Sequence, residues 1–497
     1  MTATWLGIDL GTSGVKVVAV DGSADVLATE TVTYPLHLPR PGWVEQRPAD
    51  WWSATVQAVR AVAGRIEVDE VVAIGLSGQM HGLVALDAGG QVLREAILWN
   101  DNRNGAQCAW LLEQVGGLDG LLALTDNAAL PGYTVGKILW LREHERETYD
   151  RTDVVLNPKD FLRLQLTGDR VTDVSDASGT GLLDVRRRRW SVELLAALDL
   201  PASLLPPVVE SSDVTGRLTA EAAALVGLRA GTPVVAGGGD SVLQTTSMGI
   251  ESPGLLGITL GTAGILGAAV DSCPENAGGR VQVSCGNAPD RWHVMGVALT
   301  TGGALQWWRD ALAPLLGERP ATQVLAELAA RSPVGARGLR FLPYLVGERC
   351  PHVDPDARGA WVGLDLRHDV ADMTRAVVEG ALLNVREVRD VLAGLGLAVD
   401  EVRISGGASV YPIWSQTLAD VLGTPVSSVS GGEHGAAHGA ALLAGVGTGQ
   451  WPSLREALGR VQVTSTVQPD AARTAVHDEG YAEFRRLYPA LHGGEPA

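Results

Sequence analysis

The chain has 497 residues, 46% of them hydrophobic, and a formal charge of −18 from 39 basic and 57 acidic side chains. That length calls for about two to three domains with sizeable cores. The acidity argues against non-specific binding of nucleic acid or of an acidic membrane, but not against a single nucleotide held by local donors.

The first predicted element is a hairpin, Leu6 to Val20. Two apolar, β-branched strands flank Gly11-Thr12-Ser13-Gly14, with Asp9 ending the first strand and Lys16 starting the second. A turn of small residues lets its amides approach an anion. A carboxylate beside that turn tolerates phosphate if Mg²⁺ lies between them. The stretch therefore reads either as a nucleotide-phosphate hairpin or as an ordinary N-terminal hairpin. A third strand follows at Val26 to Thr33, a loop at Pro35 to Pro48 and a helix at Ala49 to Arg65. The strand Val71 to Leu76 runs into Ser77-Gly78-Gln79-Met80-His81-Gly82, and the apolar Ile97-Leu98-Trp99 ends in Asn100-Asp101-Asn102-Arg103. Taken singly, His81 reads equally well as a packed turn histidine and Arg103 as a helix-start salt bridge. Together, Gln79, His81, Asp101 and Arg103 at strand ends indicate a polar ligand pocket.

Pro158-Lys159-Asp160 opens a helix, and the hydroxyl- and carboxylate-rich Asp173 to Gly181 reads as a solvated loop. The strand Pro233 to Ala236 breaks at Gly237-Gly238-Gly239-Asp240-Ser241. Three glycines before a carboxylate mean that something comes close, backbone or ligand, and ligand is the reading taken. Gly257-Ile258-Thr259-Leu260-Gly261-Thr262-Ala263-Gly264 repeats six of the eight residues of Gly7 to Gly14, 250 positions later. A repeat at half-chain distance predicts two copies of one domain type. Asp9 is replaced by Thr259 in the second copy, so one side alone would serve a metal. Thr301-Gly302-Gly303 opens a helix containing Gln306, and the strand Glu401 to Ile404 ends in Ser405-Gly406-Gly407-Ala408. Strand, glycine pair and helix suit a ligand against backbone. The glycines and alanines from Gly435 to Gly445 read as close helix packing. Cys108, Cys273, Cys285 and Cys350 are widely spaced and read as reduced thiols, Cys350 as a packed one. No secretory n-region and no run of ~18 apolar residues is visible, which predicts a cytoplasmic protein without a membrane span. Neither a P-loop nor a GxGxxG dinucleotide fingerprint is present.

These residues resemble the FGGY carbohydrate kinases of the actin-like ATPase superfamily over nearly the whole chain. The resemblance rests on Asp9 to Lys16, Gly78 to Gly82, Trp99-Asn100-Asp101, Pro158-Lys159-Asp160, Asp173 to Thr180, Gly237 to Asp240, Leu260-Gly261-Thr262, Gly347-Glu348-Arg349 with Pro351-His352, and Ser405 to Ala408. Gln79-Met80-His81 points to the xylulose-phosphorylating branch. The resemblance implies an α/β chain with two ribonuclease-H-like domains flanking a deep catalytic cleft. The division expected is 1–231, 232–450 and a helical tail, 451–497, packing back on the N-terminal domain. It implies ATP-dependent phosphorylation of a ketopentose hydroxyl, D-xylulose before other ketopentoses or pentitols, with a sugar-sensing ATPase or regulator as the alternative from another class. Asp240 matches the catalytic base. Met80 and His81 match sugar contacts, with Gln79, Asp101, Arg103 and Ser241 beside them. Asp9 matches the Mg²⁺-side carboxylate, acting through water. Gly11, Thr12, Ser13, Lys16, Gly261 and Thr262 match the phosphate hairpins, and Gly302, Gln306, Gly406 and Gly407 the nucleotide pocket. Its partners are then a small-molecule sugar and ATP, with a homodimer as the assembly to test for. One departure stands out. The family has Asn after the base where this chain has Ser241, and a hydroxyl cannot reproduce an amide's paired donor and acceptor.

Overall fold

The computed structural model describes residues 3–317 and 321–493, so the first two residues of 1–231, residues 318–320 of 232–450 and the last four of 451–497 lie outside it. The chain forms two compact units, each mixed α/β. One comprises 1–251, 269–293 and 434–461; the other 252–268, 294–433 and 462–497.

In the first unit the sheet runs Val214–Arg217, Pro233–Val235, Val71–Gly78, Thr4–Leu10, Gly14–Asp21, Val26–Thr33. The hairpin and third strand are antiparallel, whereas Val71–Gly78 and Pro233–Val235 run parallel to the first strand and to each other. The alternation of a strand decides what each residue meets. Leu6, Ile8 and Leu10 are fully buried in the core that also takes Trp51 and Ala58 from the helix Pro48–Ala63. Trp5, Gly7 and Asp9 have the opposite parity. That second face carries the helix Ala436–Gly447, which packs on both central strands. A Cβ on Gly7 would lie 1.8 Å from the Ala437 carbonyl oxygen, and one on Gly75 would lie 1.9 Å from that of Ala440. The glycine- and alanine-rich helix is thus a close-packing element, as its composition predicts. Trp5 Nε1 donates to Thr448 Oγ1 at 3.0 Å and anchors its end.

The second unit has a sheet with strands in the order Trp292–Ala298, Gly264–Val270, Gly254–Leu260, Val399–Ser405, Val426–Val429, Val463–Val467. The pairing repeats that of the first unit. Gly254–Leu260 is antiparallel to Gly264–Val270 and parallel to Val399–Ser405. The parallel partner is repeated position for position, while the hairpin register differs by one residue. Asp9 faces Lys16 on one side and Ser77 on the other, and Thr259 faces Ile265 and Ser405. Of the tail, 451–461 belongs to the first unit as expected, but the part from 462 onward does not follow the sequence expectation. Val463–Val467 pairs with Val426–Val429, and the helix Ala471–His492 packs on Pro412–Leu422 and Val370–Gly394 of the second unit. Arg386 pairs with Asp478 at 2.7 Å and the Tyr481 hydroxyl donates to Asp390 at 2.6 Å. These partners come from far away in sequence, which is why the tail's destination is not legible in the tail itself. Among the described residues no helix is long and apolar enough to cross a membrane.

Among the buried carboxyls of the second unit, Glu348 and Glu387 are raised furthest. Burial pushes Glu348 up to about 7 and Glu387 up to about 8, although the Tyr344 hydroxyl donates to Glu387 at 3.3 Å. Between the ordinary glutamate value and these, the folded chain holds protons that the unfolded chain has released. Stability is therefore expected to fall as pH rises from about 5 to about 8. Glu387→Gln should flatten that slope by several degrees of melting temperature; an unchanged slope in calorimetry would contradict it.

Candidate active site

Two strand ends of the first unit converge on one pair of carboxylates. Asp9 closes Thr4–Leu10, and Ser77, its neighbour in register, donates to Asp9 Oδ1 at 2.8 Å. Gly238-Gly239 pairs in parallel with Ser77-Gly78, and Asp240 is the next residue and the first of the helix Asp240–Ser247. Burial raises both acids. Asp240 is pushed up to about 7 by burial first and by the negative charge of Asp9 second, opposed by amide hydrogen bonds from Ser241 and Met80. Asp9 is raised by burial, opposed by Ser77 and Lys16. Two nearby carboxylates with one raised into the neutral range suit a proton acceptor and a cation-side ligand.

The three glycines before Asp240 are approached by the protein's own atoms rather than by an open ligand space, which corrects the sequence reading. Gly237 has φ +78 and a Cβ there would lie 1.9 Å from the Leu76 carbonyl oxygen. A Cβ on Gly238 would lie 2.4 Å from Asn287 Nδ2, and one on Gly239 2.6 Å from the Met80 thioether sulfur. Their smallness seats the strand end against Val71–Gly78 and lets Met80 reach the base. Ser241 Oγ then lies 3.0 Å from Met80 Sδ. His81, partly exposed, follows in the left-handed region at φ 70, with Nδ1 2.5 Å from the Gly179 carbonyl and its ring 4.8 Å from that of Tyr133. Lys137, lowered to about 7 by burial, donates to the His81 carbonyl at 2.7 Å. Met80, His81, Ser241 and Asp240 are thus brought together.

Gln79, Asp101 and Arg103 serve differently. Gln79 is buried, and its Nε2 donates to Gln46 Oε1 at 3.0 Å. Asp101 is fully buried. Its oxygens accept from the Val44 amide at 2.6 Å and from Arg103 at 2.9 and 2.7 Å. The Arg103 side chain is itself fully buried, pairs with Glu45 at 2.8 Å and lies 3.8 Å over the Trp43 ring. A buried carboxylate with both oxygens taken holds the loop rather than a sugar, so the salt-bridge reading of Arg103 is the one realised. The stretch from Asp173 also departs from expectation. It is buried, with Asp173 capping the helix Val174–Ser178. Lys159 lies 2.5 Å from Asp160, 3.1 Å from Asp173 and 3.6 Å from Asp176. Those cations stand too far back in sequence to be seen as partners. Ser175 Oγ accepts from the Gly239 amide at 3.1 Å, and Arg163 donates to the Val235 carbonyl at 3.0 Å. The network supports the strand end that carries Asp240.

At the first hairpin the Gly11 carbonyl accepts from the Tyr34 hydroxyl, and that of Thr12 from Gln46 Nε2 at 2.7 Å. Both carbonyls turn into the protein, the orientation that puts a turn's amides on its other side. Thr12 Oγ1 accepts from Trp99 Nε1 at 2.9 Å, Ser13 is exposed, and Lys16 faces Asp9.

The second hairpin forms one wall of a cavity of about 210 Å³ within the second unit, lined by Gly261, Thr262, Gly302, Gln306, Gly407 and Tyr411 among others. The Gly302 and Gly303 amides donate to the Gly261 and Thr262 carbonyls at 2.9 and 3.0 Å, fixing helix Gly302–Leu316 against the turn. Gly406, at φ +94, is pressed against the Leu260 backbone. Of the residues expected for a nucleotide pocket the cavity gathers Gly302, Gln306 and Gly407 beside Gly261 and Thr262, and it adds Tyr411, whose ring suits a base, with Trp414 buried in its wall. Ser77, Tyr133 and Ser175 are also additions. Ser77 had a visible signal, a hydroxyl at the end of the strand leading into Gly78-Gln79. Tyr133 had none.

Residues 4–247 match the FGGY family of carbohydrate kinases, N-terminal domain, and residues 256–448 match its C-terminal domain. The chain is 39% identical over 490 residues to a xylulose kinase of Escherichia coli K12, covering 98% of this chain and 99% of the relative. It is 36% identical over 486 residues to a xylulose kinase of Bacillus subtilis, covering 97% and 96%. A crystal structure described as a xyloylose kinase from Brucella ovis superposes with a TM-score of 0.92 at 36% identity, covering 99% of each chain.

Proposed function

Because the chain belongs to the FGGY family of carbohydrate kinases, we propose that it transfers the γ-phosphoryl group of ATP to O5 of D-xylulose, giving D-xylulose 5-phosphate and ADP. The observation that carries this reading is the placement of Asp240 beside Met80 and His81 on one side and Asp9 on the other. Asp240 accepts the proton of the sugar hydroxyl as the oxygen attacks phosphorus and ADP departs. Met80 and His81 bound the sugar, with Ser241 as a further contact. The Gly11 amide closes the turn on the Gly14 carbonyl at 3.0 Å, and the hairpin amides at Thr12 and Ser13, with Lys16, meet phosphate oxygens. Gly261, Thr262, Gly302, Gln306, Gly406 and Gly407 take the nucleotide. Magnesium fits the donors present, since Asp9 is a buried, raised carboxylate oriented by Ser77. Among the described residues no group of three or more His, Cys, Asp or Glu side chains is built to hold a metal. Asp9 would hold the ion together with phosphate oxygens and water, and the ion would neutralise phosphate charge. The reading places the enzyme in the cytoplasm, as a homodimer.

Ser241 favours a second reading, another ketopentose or a pentitol, because its hydroxyl lies against Met80 where an amide would offer two bonds. ADP release is to be measured with D-xylulose, D-ribulose, L-ribulose, L-xylulose, ribitol and D-arabinitol. D-Xylulose is expected to exceed the others in kcat/KM by ~10-fold or more. A different best substrate selects the second reading. Slow hydrolysis indifferent to sugar would indicate an ATPase or regulator instead.

A further inference from the structure

The strand Val463–Val467 lies at one end of the second unit's sheet, and among the described residues its one strand partner is Val426–Val429. Four of its five residues are exposed and Val463 shows 46% of its surface. Soluble proteins normally blunt such an edge with charge, proline, a bulge or a covering element, and this strand carries a bulge at Thr464 and Pro469 just beyond its end. Here 462–468 reads Gln-Val-Thr-Ser-Thr-Val-Gln, with no charged residue and no proline, in a chain of net charge −18. The segment reads the same in both directions about Ser465.

We infer that this edge is a two-fold interface, in which Val463–Val467 pairs antiparallel with the same strand of a second copy, centred on Ser465. This rests on the homodimer proposed above and adds its surface. Antiparallel pairing about Ser465 sets Val463 against Val467 of the partner subunit, Thr464 against Thr466 of the partner subunit, and Ser465 against the partner's Ser465. Valine meets valine and threonine meets threonine, the β-branched and hydroxyl pairs that stabilise neighbouring strands. On the inner side Ser428 faces Ser465 and Val429 faces Val463, so Thr464 is bulged and alternation is regular only from Ser465 to Val467. A two-fold contact needs a patch complementary to itself, and a palindromic strand supplies one residue by residue. The neutral edge also lets two acidic chains meet without opposing like charges.

The whole enzyme is to be examined by sedimentation velocity at micromolar concentration. Wild type is expected at twice the 52.0 kDa chain mass. Ser465→Lys and Ser465→Glu each place two like charges across the axis, and each is expected to sediment as a monomer while keeping wild-type turnover. Mixing the two variants should restore the dimer. Opposed residues of an antiparallel pair stand ~4.5–5.5 Å apart at Cα, within disulfide range. Ser465→Cys should therefore form a covalent dimer on oxidation, and Val463→Cys should do so only when mixed with Val467→Cys; the four native cysteines are buried. A dimeric wild type whose Ser465→Lys variant stays dimeric overturns the interface alone. A wild type monomeric at every concentration overturns the homodimer as well.

Discussion

Asp240→Asn is expected to lower kcat for sugar-dependent ADP release by ~10²–10⁴, with ADP affinity by calorimetry unchanged. The amide keeps the shape and the Ser241 hydrogen bond but cannot take the hydroxyl proton. The pH profile is the sharper readout. Asp240 is pushed up to about 7 by burial and by Asp9, and it acts as a base only when deprotonated. In wild type, kcat/KM should rise with pH through about 7 and level off above it. Asp9→Asn removes the like charge that raises Asp240, so its residual activity should show an acidic limb moved to lower pH. Near-normal turnover in Asp240→Asn would remove Asp240 from the role. A limb that stays in place in Asp9→Asn would mean that the two carboxylates are not coupled.

What could be read from the sequence divides along a physical line. Backbone geometry was legible. The repeat of Gly7 to Gly14 at Gly257 to Gly264 foretold two sheets of matching topology, down to Asp9 over Ser77 and Thr259 over Ser405. The glycines at 302 and 407 line a cavity walled by turns, and Gly406 packs on the Leu260 backbone. Long-range charge pairing was not legible. Asp101, Arg103, Asp173 and Asp176 look alike in sequence whether they face a ligand or a buried partner. Their partners, Glu45, Trp43 and Lys159, lie at other points of the chain. The glycines before Asp240 show the same limit. Close approach was required there, but the approaching atoms belong to Leu76, Met80 and Asn287. The tail carried no mark of where its last helix docks, and that helix docks on the second unit.

The second large effect belongs to a glycine that touches no ligand. Gly7→Ala is expected to destabilise the first unit by ~3 kcal/mol, measured as a fall in the urea midpoint at unchanged m-value. The new methyl would lie 1.8 Å from the Ala437 carbonyl oxygen and 2.7 Å from the Ala441 amide nitrogen, both backbone atoms with no rotamer to yield. Nor can the helix Ala436–Gly447 simply retreat. Its residues from Ala436 to Gly445 are buried on every side, and Trp451 packs on it where a Cβ on Gly445 would lie 2.1 Å from the indole. Gly105→Ala is the control, because a Cβ there meets nothing within 4 Å and alanine favours the helix it begins. Activity should follow stability. Asp9 stands two residues beyond Gly7 on the same face, and Ser77 two beyond Gly75, so a helix forced outward moves the carboxylate and the hydroxyl that orients it. Gly7→Ala is therefore expected to lose kcat at temperatures where it remains folded, whereas Gly105→Ala should not. If Gly7→Ala unfolds at the same urea concentration as Gly105→Ala, the helix is not rigidly seated, and the link between that packing and the active-site strand end fails with it.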